Sequence, residues 1–235
     1  AQYRAFLSGV EVDSPKGRTI VTFGDSITDG VGSSPNKNRR WPDQFIERLH
    51  AKGGTDWAIS NQGISGNRVL ESGMGESALT RFDRDVLSQA GATHVVIFEG
   101  VNDLGLSYGA PTGPNAERMK SMLPREKATA ERLIAGYRQL IARAHAHGIK
   151  VIAATIAPYE GASYWAPEGE AQRQKVNDWI RKGGEVDGVI DFDAAVRDPA
   201  KPTQMKDGLH MGDHLHGSDA GYAAMANAID LGLFK

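Results

Sequence analysis

The sequence predicts an α/β protein, a three-layer αβα sandwich built on a five-stranded parallel sheet. Two observations carry that expectation. Short apolar runs bounded by turn residues alternate along the chain with longer segments whose apolar residues recur at helical spacing. The apolar runs are continuous rather than alternating, as in strands covered by helices on both faces. No internal repeat interrupts the succession.

Residues 1–17 hold the apolar pair Phe6-Leu7, then Gly9, Pro15 and Gly17. They are expected to be an arm or the remnant of a preceding module, with one domain over 18–235. The run Ile20-Val21-Thr22-Phe23 is the first buried strand, and Val31 to Arg40 is a loop. A helix starts at Trp41-Pro42, with proline in its first turn and Phe45, Ile46 and Leu49 on one face, and ends at Gly53-Gly54. Trp57 to Ser60 is a second strand, followed by a helix through Leu79, Phe82, Val86 and Leu87. Val95-Val96-Ile97-Phe98 is the most strand-like run. After Asn102-Asp103, about twenty residues of Gly, Pro, Ser and Met read as a long loop. The strongest helix begins near Pro124, carries Leu133, Tyr137, Leu140 and Ile141, and stops at Gly148. Val151 to Ala154 is the fourth strand. An irregular stretch from Ala157 to Gly169, a helix through Val176 and Ile180, and a strand from Val189 to Phe192 follow. Ser218-Asp219 then caps a last helix ending near Leu231.

At 235 residues the chain suffices for one sizeable domain, and no shift in composition divides it. Charged residues make up 24% and the net charge is −2, which points away from nucleic acid and anionic membrane surfaces. No apolar run approaches bilayer-spanning length, so no membrane insertion is expected. The absence of cysteine excludes disulfides, thiolate metal sites and a cysteine nucleophile. Ala1-Gln2-Tyr3-Arg4 carries no signal pattern. Localisation is left open, with the secreted or periplasmic space, after removal of a leader, expected slightly ahead of the cytoplasm. Oligomeric state is left open.

Chemistry gathers where strands end. Three successive strands finish in Gly24-Asp25-Ser26, in Asn61-Gln62-Gly63-Ile64-Ser65-Gly66-Asn67 and in Gly100-Val101-Asn102-Asp103. In a parallel sheet these ends crowd one edge, where ligands bind. A fourth group, Asp213-His214-Leu215-His216, stands just before the last helix. Taken singly, Asp25-Ser26 reads as a helix cap, Asn102-Asp103 as an Asx turn and the second stretch as a plain loop. They gain weight by coinciding at one edge.

This pattern resembles the SGNH/GDSL hydrolase family of serine esterases, whose four blocks match in order from about residue 18 onward. The resemblance implies a flavodoxin-like SGNH hydrolase fold and a metal-independent carboxylic ester hydrolase with no cofactor. By the resemblance, Ser26 is the nucleophile, Asp213 and His216 complete a catalytic triad, and Gly66 and Asn102 join Ser26 in an oxyanion hole. The family's spacing from Asn61 selects Gly66 over Gly63. Asp207-Gly208-Leu209-His210 repeats the Asp-x-x-His spacing, but only His216 is followed in register by Gly221-Tyr222; Gly217 stands where the family usually has proline. The chemistry needs these types. A serine hydroxyl requires a base that takes its proton and returns it to the leaving alcohol, and a carboxylate to orient that base. Preorganised donors must meet the oxyanion, each worth roughly 3–4 kcal/mol. No G-x-S-x-G elbow is present.

Competing readings attach to the same residues. His210, Asp213, His214 and His216 could hold zinc, though without the H-E-x-x-H helix. His50, His94, His145 and His147 read as structural, and Glu99 and Asp103 as holding the loop around Asn102. Tyr159, Tyr164 and Trp165 face the same edge, either stacking on sugar or acyl groups or packing their loop; Asp25 joins them as a candidate substrate contact. The expected substrate is a short acyl ester, with acetylated carbohydrate first. Longer acyl chains, as for a lysophospholipase or thioesterase, are the alternative within the class. A non-catalytic carbohydrate-binding module is the alternative outside it.

Overall fold

The computed structural model describes residues 9–114, 116–182 and 184–235. The expected apolar stretch Phe6-Leu7 lies outside them. Five parallel strands form the central sheet: β1 (Arg18–Gly24), β2 (Trp57–Gly63), β3 (Ala92–Phe98), β4 (Lys150–Ala154) and β5 (Gly188–Ile190). Their spatial order is β2-β1-β3-β4-β5, every neighbouring pair parallel. The chain moves outward from β1 to β2 and then returns to β1's other side with β3. That reversal makes the carboxyl ends of β1 and β3 a topological switch point. Ser26 and Asn102 follow those two ends.

The apolar runs form the strands because both faces are covered. Ile20, Val21, Phe23, Val95, Val96, Ile97, Val151 and Ile152 are all buried. Helices α2 (Trp41–Ala51), α8 (Phe192–Val196) and α9 (Asp219–Ala228) pack together as one layer. Helices α3 (Ala78–Phe82), α6 (Ala130–Ala146) and α7 (Pro167–Lys182) form the other. The architecture is the expected three-layer α/β sandwich.

Several boundaries differ from the sequence expectation, each for a local reason. The long helix starts at Ala130, not near Pro124, because the Thr129 hydroxyl caps it by accepting the Arg132 N–H. The presumed loop after Asn102 contains α4 (Val101–Tyr108) and the short α5 (Ala116–Lys120). Gly100, at φ 110°, turns the chain directly from β3 into α4, so no polar cap announces it. The fifth strand ends at Ile190, because Asp191 caps α8 through the Ala194 N–H at 3.0 Å. A two-stranded antiparallel ribbon, Arg197–Asp198 with Lys201–Met205, carries too few apolar residues to be read from pattern.

One side chain ties the switch-point strands together. Arg81, fully buried on α3, donates to the Gly24 carbonyl of β1 (3.0 Å), the Gln62 carbonyl of β2 (2.8 Å) and Asn67 Oδ1 (2.9 Å). Its Nη1 reaches Asp85 at 3.0 Å, its Nη2 lies 3.4 Å from Glu99, and its plane covers the Phe23 ring at 3.9 Å. Burial pushes the Glu99 carboxyl well above the usual range, and neighbouring Asp25 adds to it while Arg81 opposes. Asp85 is held low by Arg84 and Arg81 despite part burial, and is the ionised partner. Arg81→Met keeps the apolar stem but takes a donor from each acceptor, leaving buried Asn67 Oδ1 without its partner, the Gly24 carbonyl with the Ile64 N–H alone, and Asp85 without one of its two arginines. It is expected to lower unfolding free energy by about 3–5 kcal/mol in urea titration; a loss under about 1 kcal/mol would show that the strand ends hold without it.

Candidate active site

β1 ends at Gly24 because nothing larger fits: a Cβ there would lie 2.5 Å from the Phe98 carbonyl and 2.2 Å from Thr28 Oγ1. Asp25 is extended, and its carboxylate accepts the Ile27 N–H at 2.9 Å, capping the one-turn helix α1 (Ser26–Asp29). The chain therefore turns sharply, with Ser26 at the sheet edge. Asp25 itself is buried and does not line the cavity, so its carboxylate is turned inward as a cap rather than outward as a substrate contact.

Ser26 Oγ lies 2.8 Å from His216 Nε2, and His216 Nδ1 lies 2.6 Å from Asp213 Oδ2. A carboxylate only accepts, so Nδ1 carries the proton and Nε2 presents its lone pair to the serine hydroxyl. The other Asp213 oxygen accepts the N–H groups of Leu215 and His216, both at 3.0 Å. Partial burial opposes ionisation of Asp213, but these bonds and His216 hold its carboxyl at about 2.

The loop that carries His216 is closed on itself. The Met211 N–H donates to the His216 carbonyl (2.9 Å), and the Ser218 N–H donates to the Leu209 carbonyl (3.0 Å). Ser218 also caps α9. Gly221 is required where α9 meets this loop, since a Cβ would lie 1.9 Å from the Leu209 carbonyl. The second Asp-x-x-His is spent on the same loop. His210 Nδ1 accepts the N–H groups of Gly212 and His214, and its ring lies against that of His214 at 4.2 Å. Asp207, 3.8 Å from His210, is fully exposed. Among the described residues, no three His, Asp or Glu side chains are grouped to hold a metal ion.

Two further strand ends face Ser26. Gly66 adopts φ 76°, and the Met74 thioether fills the place its Cβ would take (2.7 Å). Asn61 turns away from the site: its amide bonds the Thr28 carbonyl and the Gly63 N–H, joining β2 to α1. Asn102 donates to the Asn67 carbonyl at 2.9 Å. Its neighbour Asp103 accepts the N–H groups of Val69 and Leu70, and burial against these bonds pushes its carboxyl up to about 6.

Ser26, Gly66, Asn102, Asp213 and His216 line one cavity of about 620 Å³. The aromatic residues divide. Tyr164 lines the cavity, whereas Tyr159 is buried behind it and Trp165, half-buried, does not reach the lining. The expected aromatic platform is therefore reduced to one ring. What sequence reasoning missed is an apolar wall of Met74, Leu106, Met119 and Met122. Buried Arg68 frames it, donating to the carbonyls of Ser72 (2.6 Å) and Met122 (3.0 Å). The methionines were visible in the sequence, but Met74 converges with α5 and the turn after it from far along the chain, which leaves no local pattern.

The GDSL-like Lipase/Acylhydrolase family model matches residues 22–224. No curated protein is similar enough in sequence to match the chain. Among solved structures, a lipolytic protein of the G-D-S-L family from Desulfitobacterium hafniense is 20% identical, with TM-score 0.64, covering 90% of this chain and 97% of that one. A GDSL-like lipase from Bacteroides thetaiotaomicron is 18% identical, with TM-score 0.64 and coverage of 96% and 92%. A catalytic mutant of an acetylxylan esterase from Geobacillus stearothermophilus is 21% identical, with TM-score 0.64 and coverage of 90% and 92%. At these identities the likeness shows the fold.

Asp25 yields a pH test. Burial pushes its carboxyl up to about 7, against the Ile27 N–H and His216. A raised carboxylate stabilises the fold fully below its unfolded value and loses that contribution as pH rises through the folded one. Asp25→Asn keeps the cap acceptor and removes the titration. The variant is expected to gain at least about 1 kcal/mol on the parent between about pH 4.5 and about pH 7.5 in urea unfolding; a gap constant across that window would contradict the assignment.

Proposed function

The chain belongs to the GDSL-like Lipase/Acylhydrolase family and is a carboxylic ester hydrolase, and from that premise we propose that it works through an acyl intermediate on Ser26. The hydrogen-bonded series Asp213–His216–Ser26 is the observation that carries this reading. His216 Nε2 takes the Ser26 proton as Oγ attacks the ester carbonyl carbon. The carbonyl electron pair moves onto oxygen, where the Ser26 and Gly66 backbone N–H groups and the Asn102 amide meet it. Collapse breaks the bond to the alcohol oxygen, which leaves with the proton held on His216. Water then attacks the acyl-serine by the same route in reverse and releases the acid. Asp213 stays ionised throughout and stabilises the imidazolium.

For the substrate, we propose a short acyl ester, with an acetylated carbohydrate as first choice. The hydroxyl-bearing residues Ser65, Thr112 and Ser163 of the lining support a polyhydroxy alcohol. The acetylxylan esterase among the similar structures adds support of the weaker kind that fold likeness lends. A second reading, longer acyl chains, is favoured by the wall of Met74, Leu106, Met119 and Met122, which can pack an alkyl group.

Ser26→Ala and His216→Ala are expected to lower kcat on p-nitrophenyl acetate by at least about a thousandfold, while His210→Ala keeps most activity. Turnover retained in folded Ser26→Ala would refute the acyl-serine. A panel from acetyl to decanoyl esters is expected to peak at the short end; a peak at eight carbons or more would select the second reading.

A further inference from the structure

We infer that Tyr164 is a positioning residue for Asn102, fixing the direction of the amide that the reading above assigns to the oxyanion. The inference rests on that reading. Asn102 has two partners for two chemically different ends. The Asn67 carbonyl only accepts, so the amino group must face it, at 2.9 Å. Oδ1 is then turned to the Tyr164 hydroxyl, which donates at 3.1 Å. One hydrogen of Nδ2 is used on Asn67, and the other is left for the cavity that Asn102 lines. A single bond to Asn67 leaves the amide plane free to rock; the second bond fixes it.

The fold reserves space for this contact. At Gly105, three residues beyond Asn102 on α4, a Cβ would lie 1.6 Å from the Tyr164 ring. At Gly109, a Cβ would lie 1.7 Å from the Tyr164 carbonyl oxygen. Only glycine at both positions lets the tyrosine lie along α4 with its hydroxyl at Asn102. Tyr159 supports the ring from behind, with centroids 5.9 Å apart. Burial pushes the Tyr164 phenol well above its usual range, so the hydroxyl keeps the proton it donates. That proton is committed to Asn102, and the hydroxyl acts on the reaction through the amide rather than on the substrate. The Tyr164 ring lines the cavity, while its hydroxyl belongs to the machinery behind the reacting atoms.

A double-mutant cycle on the full chain tests this, using p-nitrophenyl acetate. Tyr164→Phe keeps the ring in its recess and removes only the hydroxyl. It is expected to lower kcat about tenfold, with KM within about twofold and the limbs of the pH–rate profile unmoved. Asn102→Ala is expected to cost about a hundredfold or more. In the Asn102→Ala background, Tyr164→Phe should add less than about twofold, because the hydroxyl then has nothing to position. Parental kcat in Tyr164→Phe, a loss confined to KM, or losses that multiply in the double variant would each overturn the inference. Activity retained in Ser26→Ala would overturn the ester-hydrolysis mechanism beneath it, a result these variants do not mimic.

Discussion

A guanidinium with no access to water has to place its hydrogen bonds within the protein, and Arg81 uses its own to hold the active edge of the sheet. Its partners are the last carbonyl of β1, a carbonyl near the end of β2, and the side chain of Asn67. Asn67 in turn offers its carbonyl to Asn102. Three of the four functional segments are thus referred to one rigid, planar group. Planarity matters: the fork fixes directions as well as distances, which a lysine could not do. Beneath the site, Asp25, Glu99 and Asp103 share the same buried volume, and burial drives all three toward the neutral form. Arg81, with Arg68 beside Asp103, is set against carboxyls that are too crowded to ionise together.

The fourth segment is built differently. The histidine loop carries no bond to Arg81; it closes on itself through Met211, His216, Leu209 and Ser218 and is held against α9. Ser26 and His216 are brought together from opposite ends of the chain by two backbone close approaches. Gly24 lets α1 turn directly off β1, and Gly221 lets α9 press on the Leu209 carbonyl. The Ser26–His216 contact therefore reports on the assembly of the whole domain. Across the site, Tyr164 crosses α4 at Gly105 and gives the Asn102 amide a second partner besides the Asn67 carbonyl.

Much of this was legible from residues alone. Continuous apolar runs such as Val95 to Phe98 announce buried parallel strands, and the convergence of Ser26, Gly66 and Asn102 follows from strand ends sharing an edge; His216, on a loop before the last helix, was joined to them by the family resemblance alone. Helix α4 was not legible, because it starts from a left-handed glycine rather than a polar cap. Arg81 and Arg68 were not legible either. A buried arginine in sequence looks like a surface one, and only its partners, distant along the chain, distinguish them. The roles of the aromatic residues depended on orientation: Tyr164, Tyr159 and Trp165 lie within one short stretch yet reach a cavity wall, the core and neither. Local pattern records which residues turn inward but not what they meet there.

The central claim is that acyl transfer passes through Ser26. Its most direct measurement is mass spectrometry of the protein after acid-quenching during turnover of p-nitrophenyl acetate, with peptide mapping of the trapped species. The account predicts an acetyl group on the peptide that contains Ser26, absent from Ser26→Ala and accumulating in His216→Ala supplied with excess ester only at a greatly reduced rate. An acetyl group on another side chain, or steady turnover with no acyl-enzyme at any quench time and unchanged in Ser26→Ala, would contradict it.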